Sequence, residues 1–216
     1  MTGSTSKKDA KYRKNLFAKV EGDTTHPINN GIHMQAHHLI SEEGLKMSQM
    51  GNLLKMRGYD INAIKNLVFL PSTLPGACHL GVQPHRGNHI FKDDEHPKSY
   101  HQEVGTRLTD MQEEVDNCSA SDSAKKTQKL INATSKVLLG KIKSFSLPLT
   151  PIMTKFDTDK QIGCGNCIDV KEHQADSTPC KSNRDHYQQA HPMYKSGKEM
   201  KEITIPKIQY ALKVGK

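Results

Sequence analysis

Two histidine groups stand far apart in this chain: His37-His38 directly after Ala36, and His85 with His89, with Asn66 between the groups. Imidazole is the commonest neutral metal ligand and the side chain that titrates nearest neutral pH. A chain that closes these two groups onto one place can hold a divalent cation and keep a spare histidine as a base. That combination points to metal-assisted hydrolysis.

The local pattern divides the labour. Residues 32–40 read as a short strand or hairpin arm, and adjacent strand residues point to opposite faces. His37 and His38 therefore do different jobs, one facing a metal and the other an attacking water. His85 and His89, four apart, share one face if they lie on a helical turn, and complete a set of ligands. Gly87 between them lets backbone approach a phosphate. Phosphodiester hydrolysis needs both parts: a cation against the charge that develops on oxygen, and a base near neutral pKa for water.

Around these groups the chain reads as α+β. Residues 7–20 form a basic, partly helical lead-in. Ser41 with Glu42 and Glu43 opens a helix whose apolar residues run from Leu45 to Met56 and which Gly58 closes. Residues 66–70 are a β-prone run stopped by Pro71. A loop carrying Pro75, Gly76, Gly81 and Pro84 leads to His85; a short helix is predicted from His89, another over residues 100–115, and a long one over 124–145. The polar break at 119–123 is the expected boundary, which divides the chain into a lead-in (1–25), a core (26–118) and a C-terminal region (119–216).

With these residues in place, Gln35-Ala-His-His-Leu-Ile, Asn66-Leu-Val-Phe-Leu-Pro, His85-Arg-Gly-Asn-His89 and Tyr100 resemble the AHH nucleases. Those belong to the HNH, or ββα-metal, endonuclease superfamily and occur as toxin domains in bacterial conflict systems. The resemblance covers about residues 32–115. It implies a small ββα-metal core embedded in helices. In that core His37, His85 and His89 are metal ligands, His38 is the general base and Asn66 orients the loop that bears it. Tyr100 matches a family position without an assigned role. Arg86 and His79 are candidate phosphate contacts by position alone, and His33, His96 and His101 are left without a role. The resemblance further implies DNA as substrate with little sequence preference, and a toxin delivered by specialised secretion to the target-cell cytoplasm. A cognate immunity protein is its expected partner. Three imidazoles suit Zn²⁺ or Ni²⁺, whereas Mg²⁺ prefers oxygen; related enzymes use Mg²⁺, and the ion stays open.

A metalloprotease is the rival hydrolase, because its helix motif also places two histidines four apart. That motif requires Glu after the first histidine, where Arg86 stands here. The rival from another class is a non-catalytic, zinc-containing DNA-binding module.

The remainder of the chain is basic. Residues 1–123 carry 14 Lys+Arg against 15 Asp+Glu, and residues 124–216 carry 17 against 8, so all the excess of the +8 net charge lies C-terminally. Such a segment neutralises phosphates without reading sequence, or is a solvated surface. Cys164, Cys167 and Cys180 with His186 have the composition of a closed structural zinc site; His173 and His191 compete as fourth ligand, and a local disulfide or free thiols are the alternative. Cys78 and Cys118 read as isolated buried thiols. No run approaches the roughly 18 apolar residues that span a bilayer, and the polar, basic first residues do not read as a secretory signal.

Overall fold

The computed structural model describes residues 3–6, 11–85, 87–117, 123–150, 202–206, 208 and 210–216. Its centre is a two-stranded antiparallel sheet, β1 (Met34–His38) against β2 (Leu67–Pro71). The register pairs Met34 with Pro71 and His38 with Leu67, so His37 lies opposite Val68. All five residues of β2 are buried, the pattern of a strand covered on both faces. Pro71, which cannot donate to a ladder, ends it.

Helices surround the sheet: α1 (Lys11–Phe17), α2 (Glu42–Ser48), α3 (Gly51–Met56), α4 (Leu74–Leu80), α5 (Tyr100–Asp110), α6 (Gln112–Asp116) and α7 (Ser123–Lys143). A small antiparallel sheet with helices around it is compatible with an HNH-like ββα core. Ser41 caps α2 as its sequence predicts, its hydroxyl accepting from Gly44 N at 3.1 Å. The single helix expected over 42–56 is two, because Gln49 takes a left-handed conformation (φ 58°) and closes α2. α2 and α5 cross closely at Gly44 and Gly105; a Cβ on Gly44 would collide with the Val104 side chain.

Two expectations fail for identifiable reasons. The proline- and glycine-bearing segment after β2 is not a loop but α4. Thr73 caps it through Gly76 N (3.1 Å), Pro75 occupies the first turn and Gly81 (φ 62°) closes it. Pro early and Gly late is a helix signature as well as a loop signature. Conversely, no helix starts at His89, whose own φ is +58°.

The break at 119–123 does not divide the core. Ile131, Leu138 and Ile142 of α7 belong to the same buried cluster as Leu39, Leu67 and Leu70. Burying such a side chain is worth about 1.5–3 kcal/mol. Glu103 of α5 also binds Lys141 of α7 (2.6 Å) and Arg107 (2.7 Å). Residues near 215 then run beside β2, with Gly215 N on Leu67 O (2.7 Å) and Phe69 N on Lys216 O (2.9 Å). The lead-in is likewise built in, for Leu16 and Val20 are fully buried. No described helix is long and apolar enough to cross a membrane.

Candidate metal centre

β1 enters the site with its last two residues. His37 is 3% exposed, and its ring lies 5.0 Å from that of His85 and 5.2 Å from that of His89. One nitrogen from each of the three imidazoles falls within 4.8 Å of the others, which is a geometry able to hold a metal ion. The three predicted ligands therefore converge, though not by the predicted route. His85 and His89 lie on an irregular loop, folded back by left-handed backbone at Gly87 (φ 75°) and His89 (φ 58°). Positive φ costs glycine nothing and histidine a little.

The outer nitrogens fix the two loop rings. His85 Nδ1 meets Gln35 Oε1 at 2.9 Å, and His89 Nδ1 meets the Leu149 carbonyl at 3.0 Å. Both acceptors require a protonated Nδ1, which leaves Nε2 of each ring with the lone pair that binds metal. Gln35 and His37 share one face of β1, so the same strand supplies a ligand and the group that orients another. Among the described residues, His37 Nε2 is buried with no hydrogen-bond partner. A buried polar nitrogen without a partner is costly, and a cation on it satisfies that deficit. Burial first, then the neighbouring His85 and His89, hold the His37 pKa well below its ordinary value. The ring is therefore neutral, as a ligand must be.

His38 points elsewhere, as the strand alternation requires. Its Nε2 lies 3.0 Å from Asn62 Oδ1, and its ring packs 4.5 Å from that of Tyr12 on α1. Asn62 Nδ2 donates to Ser6 O at 3.0 Å, which turns its carbonyl oxygen toward His38. Nε2 of His38 is then the protonated nitrogen and Nδ1 the basic one.

Asn66 is 1% exposed and sits beneath the turn that follows β1. Its Oδ1 accepts from Ile40 N (2.6 Å) and Ser135 Oγ (3.1 Å), and its Nδ2 donates to the carbonyls of Ile40 (3.1 Å) and Ile61 (2.8 Å). All the hydrogen-bonding capacity of its amide is used, and the backbone leaving His38 is clamped. Tyr100 clamps it from the other side, its hydroxyl donating to Leu39 O (2.7 Å) and His38 O (3.3 Å). Burial pushes the Tyr100 phenol well above its ordinary pKa, so it remains a donor.

The four histidines and Tyr12 line one cleft of about 570 Å³, together with Glu42, Lys46 and Met47. His101, to which the sequence assigned no role, also lines it. Its Nδ1 meets Ser41 Oγ and its Nε2 the Asn88 carbonyl, each at 2.9 Å, so it ties the histidine loop to α2. The signal available was its position beside Tyr100 in the first turn of a well-capped helix, where Ser99 and Gln102 form a capping box. Gln35, Asn62 and Tyr12 were missed as site residues because their contacts are tertiary.

His79 is not at the site. It is 1% exposed on α4 and its Nε2 meets Ile205 O at 2.8 Å, so it cannot contact a phosphate in the cleft. His96 pairs with Asp93 at 2.9 Å, also away from the cleft lining. Arg86 lies outside the described residues, as do Cys164, Cys167, Cys180, His186, His173, His191 and Cys118. Cys78 is disulfide-bonded and therefore not the isolated thiol its spacing suggested.

A neutral imidazole triad beside a fourth, separately held histidine, on a strand pair with helices around it, is compatible with a nuclease core of the HNH type. The AHH family, described as a nuclease family of the HNH/ENDO VII superfamily with conserved AHH, matches residues 18–138, more than half of the chain. The chain belongs to that family. The match runs past the break at 119–123 into α7, in keeping with the helix that seats Ser135 on Asn66. No curated protein and no solved structure matches the chain.

Proposed function

We propose that the chain is a metal-dependent endonuclease that hydrolyses DNA with little sequence preference. The observation that carries this reading is the buried Nε2 of His37, partnerless among the described residues, facing two imidazoles whose outer nitrogens are already committed. His37, His85 and His89 hold the ion. A divalent cation there supplies positive charge against the charge that builds on the phosphate oxygens. His38, kept out of the ligand set by strand alternation, takes the proton of the attacking water through Nδ1. Asn62 keeps its tautomer, while Asn66 and Tyr100 keep its backbone in place. Three nitrogen ligands favour Zn²⁺ or Ni²⁺ over Mg²⁺. Little sequence preference follows from the absence of an ordered base-reading element among the described residues.

The biological reading is an antibacterial toxin that reaches the target cytoplasm by specialised secretion and is neutralised in the producer by an immunity protein. Membership of a family found in conflict systems supports it. The Cys78 disulfide supports passage through an oxidising compartment, where such bonds persist. Cys164, Cys167, Cys180 and His186 as a structural zinc site complete the proposal.

Plasmid nicking tests the chemistry. Metal-stripped protein regains activity on return of one divalent ion, and His38→Ala loses about 10²–10⁴-fold in rate while still binding that ion. Nicking that survives His38→Ala undiminished rejects His38 as the base.

A further inference from the structure

The site's own mouth carries little net positive charge, for Glu42 and Glu43 stand beside Lys46 along the cleft. A nuclease must nevertheless hold a polyanion. On α7, Lys125, Lys129 and Lys136 follow the spacing i, i+4, i+11, which places them on one face of the helix. By the 1.5 Å rise per residue they span about 16 Å, the axial length of about five base pairs. Lys65, from the turn that ends in Asn66, joins them along a groove of about 670 Å³ whose floor includes Asn132, Ala133 and Val214.

All four lysines are exposed, and among the described residues none forms an ion pair. α7 carries no acidic residue along its length, and among the described residues no acid lines this groove. The acids nearby, Glu113 and Glu114 on α6, line the opposite side of Lys129 and so bound the stripe on that side. The opposite face of α7 is buried in the core and seats Ser135 on Asn66. The helix therefore joins the positive groove rigidly to the backbone that carries His38.

We propose that this groove is a second binding site, for the phosphate backbone of duplex nucleic acid, separate from the metal centre. It rests on the nuclease reading for its biological sense. The site takes phosphates through lysine ammonium groups and reads no bases. It supplies grip on the polyanion that the nearly neutral cleft lacks.

The test compares the full chain with K125Q/K129Q/K136Q and with a control of equal charge loss at exposed lysines off α7 and outside the groove lining, K14Q/K19Q/K55Q. Lys65 is left intact because it adjoins Asn66. Glutamine keeps helix propensity and removes the charge. Binding of a labelled duplex is followed by fluorescence anisotropy in EDTA over a potassium chloride series, so that no cleavage is required. Loss of three phosphate contacts lowers the slope of log K against log salt by about 2–3 and weakens binding about 100-fold at physiological salt. The control changes the slope by less than about one. Hydrolysis of bis(p-nitrophenyl) phosphate, too small to reach the groove, stays at the wild-type rate in the groove variant. Equal slopes for the groove variant and the control overturn the proposal, as does wild-type protein that fails to bind the duplex. If wild type hydrolyses neither DNA nor the small diester, the nuclease reading falls, and the binding series still decides the groove.

Discussion

The two histidine groups reach the same place by different means. His37 and His38 are placed by backbone: β2 fixes their register, and Asn66 and Tyr100 clamp the chain just beyond them. His85 and His89 are placed by side chains and bent backbone. Gln35 and the Leu149 carbonyl hold their outer nitrogens, and His101 holds the Asn88 carbonyl between them. On the proposed roles, the strand half sets which histidine faces the ion and which faces water, and the loop half sets how tightly the ion is held. A strand cannot exchange those roles without slipping one residue and turning its buried face outward, whereas the loop can be tuned one hydrogen bond at a time.

The largest effect expected from that difference comes from the loop half. Gln35→Leu removes the acceptor for His85 Nδ1 from an exposed position, so the fold is retained while the ring loses its orientation. Metal affinity falls about 10–100-fold, read by chelator competition, with the unfolding midpoint of the metal-free protein unchanged. A variant that binds metal as wild type does would show that the loop is held by its backbone alone, and the contrast would collapse.

The strand half answers in stability instead. Tyr100→Phe leaves the buried carbonyl of Leu39 without its 2.7 Å donor, and such a loss costs about 1–3 kcal/mol. Urea unfolding of the metal-free protein measures it, and metal affinity should move little. A Tyr100→Phe protein of unaltered stability but weakened metal binding would invert the assignment of the two halves.

What was legible in the sequence follows the same division. The opposite facing of His37 and His38 and the strand β2 were readable because strand alternation and β-prone composition are local properties, whereas Asn66 was singled out by the family resemblance. The convergence of His85 and His89 was expected, but its geometry was misread as a helical turn. A left-handed histidine leaves no trace in composition, and spacing of four suits a helix equally well. α4 was missed because Pro75, Gly76 and Gly81 punctuate loops and helix ends alike. The orienting groups Gln35, Asn62 and Leu149 were invisible for a further reason, and His101 gave only the signal of its place beside Tyr100. Those three reach a histidine and His101 reaches the Asn88 carbonyl, each across at least a dozen residues, and two of the four contacts use a backbone carbonyl that no side-chain motif records. His79 shows the converse error: a histidine at a suggestive position that burial on α4 removes from the site.

The smallest effect expected is one of pH, and it separates strand support from site chemistry. His26 packs edge-on against Phe69 of β2 and Tyr210, with Nδ1 accepting from Ile28 N at 3.2 Å and Nε2 buried without a partner among the described residues. Burial lowers its pKa from the ordinary 6.5 to about 4, with Asp23 partly opposing. The folded protein therefore binds fewer protons here than the unfolded chain between those values, and stability rises with pH across that window. His26 contributes fully above pH 6.5, and its contribution is lost as pH falls toward 4. His26→Asn, which keeps an acceptor for Ile28 N, should lose less thermal stability than wild type between pH 7 and pH 4.5. His37 shares the direction of the shift, so both proteins retain some acid sensitivity. Only the difference between them reports His26, and identical pH profiles would mean that the ring behind β2 is charged or solvated in the fold.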